Sequence, residues 1–503
     1  MSFPSDLEIA QAAHIAPLSE IATQLGLGDD VLEPYGRTVA KIDLSALQQV
    51  QDRPRGKYVV VTAITPTPLG EGKTTTSVGL AQAMKHIGKV GLLALRQPSM
   101  GPTFGIKGGA AGGGYSQVIP MEILNLHLTG DFHAVTAAHN LLAAMVDNHL
   151  HHGNALGLSV KNITWKRVLD VNDRSLRNVI IGLGPKEDGV ERESGFDITA
   201  ASEVMALLAL ATSMEDLRAR LGRIVVGYTE NKVAVTAEQI GCAGAMAVIL
   251  RDAIKPNLMQ TLENTPALIH TGPFGNIATG NSSVIADKLG IHMCDYLITE
   301  AGFGADMGAE RFFNIKCRVS GMVPDAAVLV ATVRALKAHS GQYKVVAGKP
   351  LPPEMLQESP DDVRAGATNL AKQIENVKAH GVSPVVAINA FPTDHPSEHA
   401  AIKEIAEALG ARVAICTHFA DGGAGAVELA QAVVAACDEE SRFEFLYPDD
   451  ASLKEKIYAV ATRIYGAANV EYSAIAEEQL AMFDANGFSH LPVCIAKTHL
   501  SIS

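Results

Sequence analysis

At 503 residues the chain is too long for one ordinary hydrophobic core, and its length alone points to roughly two to four domains. Hydrophobic residues make up 47% of it and charged residues 19%, which excludes a disordered or fibrous chain. A net charge of -13 argues against nonspecific binding to nucleic acid or to an anionic membrane, so any anionic substrate must be caught by local cations.

The first residues, MSFPSDLEIAQ, lack a basic segment followed by an apolar one. No apolar run approaches the roughly 18 residues of a membrane span, so the expected location is cytoplasmic. Lys57 to Thr65 (KYVVVTAIT) is a continuous β-branched run, as expected of a strand covered on both faces. A helix is predicted from Lys73 to Ile87, stopped by Gly88, and VGLLALR returns as a strand ending at Arg96. This βαβ order is right-handed in almost every known case and puts the intervening loop at the carboxyl edge of a parallel sheet.

That loop carries Thr67, Pro68, Leu69, Gly70, Glu71, Gly72, Lys73 and Thr74, a phosphate-loop pattern with threonine at the first glycine. Gly70 and Gly72 permit close backbone approach, Lys73 can reach outer phosphates, and Thr74 can join a Mg²⁺ shell. Gly101 to Tyr115 (GPTFGIKGGAAGGGY) is predicted as an ordered loop, since linkers rarely carry Phe104, Ile106, Lys107 and Tyr115. Arg96 and Lys73 are expected to converge on one anionic site. His127, Asp131 and His133 follow, as a source of a catalytic base or, for Asp131, as a cap on the next helix. His149, His151 and His152 read as a polar helix end, because nothing nearby completes a zinc ligand set.

Helices are predicted over Asp131 to His151 and Ser202 to Ala211. Further strands are expected in NVIIGLG, RIVVGY, ALIH, DYLIT, AAVLVAT, PVVAIN and RVAIC. The fold class is α/β: a P-loop NTPase-like, mostly parallel sheet with helices on both faces, plus additional α/β domains. YLITEAGFG places Glu300 at a strand end, either as a Mg²⁺-orienting acid or as a plain polar terminus. The proline- and glycine-rich stretch Gly341 to Pro353 suggests a boundary between a nucleotide-binding region, 1–345, and a C-terminal domain, 346–503. The first region is expected to carry an inserted subdomain near 115–290. Six cysteines, scattered without a C-x-x-C pair, read as reduced thiols.

TPLGEGKTTT, LRQPSMGPTFGIKGGAAGGGY, NLHLTGD, TEAGFGAD, VATVRALK, IYGA and LPVCIAKT together resemble the formate-tetrahydrofolate ligase family, from about residue 40 onward. The resemblance implies a homotetrameric enzyme that uses MgATP to join formate to tetrahydrofolate through formyl phosphate, activated by K⁺ or NH₄⁺. It assigns Lys73 and Arg96 as the principal catalytic residues. It also implies that Phe391 and Phe419, either of which alone reads as a core residue, sandwich the pterin of the folate. Four departures stand out: Gln97 where glutamate is usual, Ser340 for a glycine, Phe419 for a tryptophan, and an unusual wording of Thr271 to Ser283. Family members also usually continue for several tens of residues past the position of Ser503. The alternatives are a P-loop ligase or kinase for another small carboxylate, and a nucleotide-binding regulatory protein.

Overall fold

The β-branched run after Arg55 becomes strand Lys57–Ala63, whose side chains alternate between two covered faces. Tyr58 and Val60 enter the core on one side of the sheet, and Val59, Val61 and Ala63 enter the core on the other. Helices therefore lie on both faces. The computed structural model describes residues 3–100, 111–275, 278–346, 348–496, 498, 500 and 502. Most of the glycine tract, with the expectation of an ordered loop there, lies outside the described residues.

Ten strands form the main path of a twelve-stranded sheet, in chain order β1 (Leu32–Tyr35), β2 (Val39–Ile42), β3 (Lys57–Ala63), β4 (Gly91–Leu95), β5 (Asn257–Thr261), β6 (Pro266–Ile269), β7 (Tyr296–Glu300), β8 (Ala326–Ala331), β9 (Ser383–Asn389) and β10 (Arg412–Cys416); the short strands Gly112–Gly113 and Ser116–Ile119 join it at β5. Their spatial order is β1-β2-β5-β6-β4-β7-β3-β8-β9-β10. From β6 to β10 every neighbouring pair is parallel, and the β1, β2 and β5 edge is antiparallel. The predicted βαβ unit is present, with helix Lys73–His86 between β3 and β4 and Gly88 at φ +73° just beyond it. β7 lies between those two strands, a placement that no local pattern announces.

The expected boundary at Gly341–Pro353 falls between β8 and β9, which pair directly from Ala326↔Ser383 to Ala331↔Ile388. Two of the predicted strands lie outside the main sheet. NVIIGLG forms only Val179–Ile181, a hairpin with Arg192–Ser194, and RIVVGY forms Val225–Thr229 in a separate three-stranded sheet. The reason is coverage: Ile180 is exposed on this hairpin, whereas every residue of β7 and β8 is buried. Among the described residues no helix is long and apolar enough to cross a membrane.

Strand order fixes what meets at the carboxyl edge. Going across it, Arg96 follows β4, Glu300 ends β7, the phosphate loop follows β3, Arg334 follows β8, Asn389 ends β9 and Phe419 follows β10.

Candidate active site at the carboxyl edge

The loop between β3 and helix Lys73–His86 is held from within and from outside. The Thr67 amide donates to Glu71 Oε1 at 2.7 Å, and the Gly70 amide donates to the Thr67 carbonyl at 3.2 Å. Gly70 and Gly72 both lie in the left-handed region, at φ +73° and +79°. Glycine at position 72 is required twice, because a Cβ there would also stand 2.5 Å from Asn389 Nδ2. Asn389, reaching over from β9, donates to the Glu71 carbonyl at 3.0 Å. Sequence reasoning missed Asn389, whose contact spans 318 residues.

Lys73 is the first residue of the helix, half-buried, at the end where the helix carries its partial positive charge. Among the described residues its ammonium makes no hydrogen bond or ion pair. One residue on, the Thr74 hydroxyl donates to Glu300 Oε2 at 2.8 Å. Arg96 approaches the other oxygen of the same carboxylate at 3.9 Å and donates from Nη1 to the Pro273 carbonyl at 3.0 Å. Burial lowers the Arg96 pKa from its ordinary value, and the Glu300 carboxylate opposes that shift. Three of the predicted residues, Thr74, Glu300 and Arg96, thus form one connected group beside Lys73.

Asp131 and His127 are not part of that group. Asp131 is the first residue of helix Asp131–His151 but does not cap it as the alternative expected: the N-cap is Gly130, and the Asp131 carboxylate is tied to Lys41 at 2.8 Å and to Asn257 at 2.9 Å. Both Lys41 and Asp131 are buried, and burial raises the Asp131 pKa against the pull of Lys41. His127 is exposed and hydrogen-bonded to His133, Nδ1 to Nε2, at 2.7 Å.

Phe391 and Phe419 follow neighbouring parallel strands. The Arg334 guanidinium lies over the Phe391 ring, with its carbon 3.3 Å from the centroid. Phe419 is partly exposed and stacks on Phe3 at 5.5 Å, while its carbonyl accepts from the Tyr115 amide at 2.8 Å. The last part of the glycine tract is therefore packed on the Phe419 turn, and a Cβ at Gly114 would meet the Phe419 carbonyl at 2.0 Å.

A left-handed glycine pair, a lysine and threonine opening a helix, and an acid on the next strand define a phosphate-binding-loop α/β protein. The formate–tetrahydrofolate ligase family model matches residues 4–503, and the chain belongs to that family. It is 69% identical over 503 residues to a formate–tetrahydrofolate ligase of Saccharopolyspora erythraea, covering 100% of this chain and 89% of that one. It is 66% identical over 509 residues to formate–tetrahydrofolate ligase 1 of Rubrobacter xylanophilus, covering 99% and 88%. With the Cutibacterium acnes formate–tetrahydrofolate ligase it shares 65% identity over 499 residues, covering 99% and 89%.

Proposed function

We infer that this protein ligates formate to tetrahydrofolate at the expense of ATP, giving 10-formyltetrahydrofolate, ADP and phosphate. Family membership over residues 4–503 supports the overall reaction, and the connected group Thr74, Glu300 and Arg96 beside Lys73 is the observation that carries the chemistry. In this reading formate oxygen attacks the γ-phosphorus and ADP leaves with the bonding electrons, so formyl phosphate forms. N10 of the folate then displaces phosphate from the formyl carbon. Phosphoryl transfer of this kind needs positioning and fixed positive charge more than covalent help, and Lys73, Arg96 and the helix terminus provide both. The Thr74 hydroxyl and the Glu300 carboxylate, hard oxygen donors 2.8 Å apart, suit Mg²⁺ and would hold it. Bound there, Mg²⁺ would neutralise phosphate charge.

Phe391 and Phe419 are proposed to receive the pterin. A monovalent cation (K⁺ or NH₄⁺) and a homotetramer rest on the family resemblance alone, and a cytoplasmic location rests on the reading of the sequence. Of the catalytic assignments, Asp131 and His127 draw least support, since the first is neutralised by Lys41 and the second faces outward. The direct test is formation of 10-formyltetrahydrofolate by the purified protein, with ATP, formate and tetrahydrofolate each omitted in turn. Product must require all three; product from another acid without folate would overturn the reading.

Two smaller effects follow from the site. Asn389→Leu leaves the Glu71 carbonyl without its donor and should raise KM for ATP about tenfold, at nearly constant KM for formate. An unchanged KM for ATP would mean that the loop holds its shape unaided. Phe419→Trp enlarges the stacking face and should lower KM for tetrahydrofolate about fivefold. A rise in that constant would show instead that Phe3, stacked on Phe419, leaves no room for the larger ring.

A further inference from the structure

Arg334 is a cation to which the ligase scheme assigns no task. It lies at the start of helix Val333–His339, directly after β8, so the phosphate loop has Arg96 on one side and Arg334 on the other. A guanidinium carbon 3.3 Å above a ring centroid leaves room only for a face-on stack, since a tilted group would drive a nitrogen into the ring. The N–H donors therefore spread in a plane parallel to Phe391. Nε is buried and has no hydrogen-bond partner, and Arg334 makes no ion pair to any described residue. Burial lowers its pKa, with Asp394 and Glu71 acting in the opposite direction from nearby.

The surroundings place this cation between the two halves of the site. Its helix touches the start of the phosphate loop, where His339 Nε2 meets the Thr65 carbonyl at 2.9 Å. The ring beneath it lies two residues after Asn389, which holds the same loop at Glu71. In strand order Arg334 stands between the phosphate loop and Phe391. A buried, unpartnered N–H is costly unless a ligand acceptor satisfies it.

We propose that Arg334 is a catalytic residue of the acyl-transfer half of the reaction, donating hydrogen bonds to the formyl oxygen as it becomes an oxyanion. This rests on the formyl phosphate reading given above. In the step, the N10 lone pair forms the C–N bond while the carbonyl π electrons move onto oxygen. The tetrahedral oxyanion then collapses, the C–O bond to phosphorus breaks, and phosphate leaves with that electron pair. The N10 proton passes to the released phosphate. Arg96 and Lys73 serve the earlier phosphoryl step, and Arg334 serves this one.

Supplied formyl phosphate separates the two halves: with MgADP it should give ATP, and with tetrahydrofolate it should give 10-formyltetrahydrofolate. Arg334→Gln should lower kcat for the folate branch about 100-fold and leave the ADP branch within about threefold. Arg334→Lys, which keeps the charge but loses the planar fork, should recover part of the lost rate. Equal loss in both branches, no loss in either, or a change only in KM for folate would each overturn the proposal. The last outcome would reduce Arg334 to a prop for Phe391. Failure of the unsubstituted enzyme to use formyl phosphate in either branch would overturn the formyl phosphate reading, and this proposal with it.

Discussion

Replacing Lys73 by alanine is expected to lower kcat about 1,000-fold, the size associated with losing a cation that meets charge developing on a transferring phosphoryl group. The expectation follows from how the other positive groups at this edge are engaged. Arg96 is shared between the Glu300 carboxylate and the Pro273 carbonyl, and Arg334, without an ion pair among the described residues, is stacked on Phe391. Lys73 has no such engagement among the described residues, and it sits on the loop that Gly70 and Gly72 shape. The alanine variant keeps the helix terminus and Arg96, so some turnover should remain. Because alanine is a good residue at a helix start, the fold should survive, and unchanged far-UV circular dichroism with a near-native Cm would confirm that. Lys73→Arg should not restore activity, since the larger fork does not fit where a compact ammonium does. Initial rates with saturating formate and tetrahydrofolate decide the matter, and a loss below about tenfold would remove Lys73 from the phosphate role.

The parts of this site that were legible in the sequence are the local ones. Thr67 to Thr74 spans eight consecutive residues, and its flanking strand and helix announce themselves by β-branching and by Gly88. Glu300 was identifiable as the end of an apolar run. Its contact with Thr74 depends on β7 inserting between β3 and β4, a pairing that no window of sequence contains. Asn389 was hidden for the same reason. Asp131 shows the limit from the other side: its position at a helix start was readable, whereas Lys41, 90 residues earlier, decides what its carboxylate does. The short apolar runs at Val179 and Val225 satisfied a strand pattern and formed strands, but periodicity does not say which sheet a strand joins. Phe391 and Phe419 came from resemblance, since an isolated phenylalanine carries no signal that separates a stacking surface from core.

The second large expectation concerns acid. Four histidines are buried as neutral rings: His139, His380 and His418 with pKa values pushed down to about 4, and His270 to about 3, in each case chiefly by burial. Each ring is tied to a neutral neighbour: His139 and His270 to the hydroxyls of Ser202 and Ser283, His380 to the Glu444 carbonyl, and His418 to Thr76 under the phosphate loop. The carbonyls of Lys166, Ala253 and Glu444, bonded to His139, His270 and His380, favour protonation, but burial outweighs them. In the unfolded chain the same rings titrate near 6.5, so between about pH 6.5 and pH 4 the unfolded state binds more protons than the folded one. Stability is therefore fully present above about pH 6.5 and is lost as the pH falls. The loss approaches 1.36 kcal/mol per pH unit per ring, or about 6 kcal/mol for four rings between pH 6.5 and pH 5, as an upper bound. The buried carboxyls of Asp131 and Asp287, raised by burial, act in the opposite sense and reduce the total. Urea unfolding at the two pH values should show a lower Cm at pH 5 with little change in m. A single substitution isolates one ring from the rest: His418→Gln should weaken the pH dependence by about one proton's worth while removing the Thr76 contact beneath the loop. An unchanged slope in that variant would mean that His418 is protonated in the folded protein.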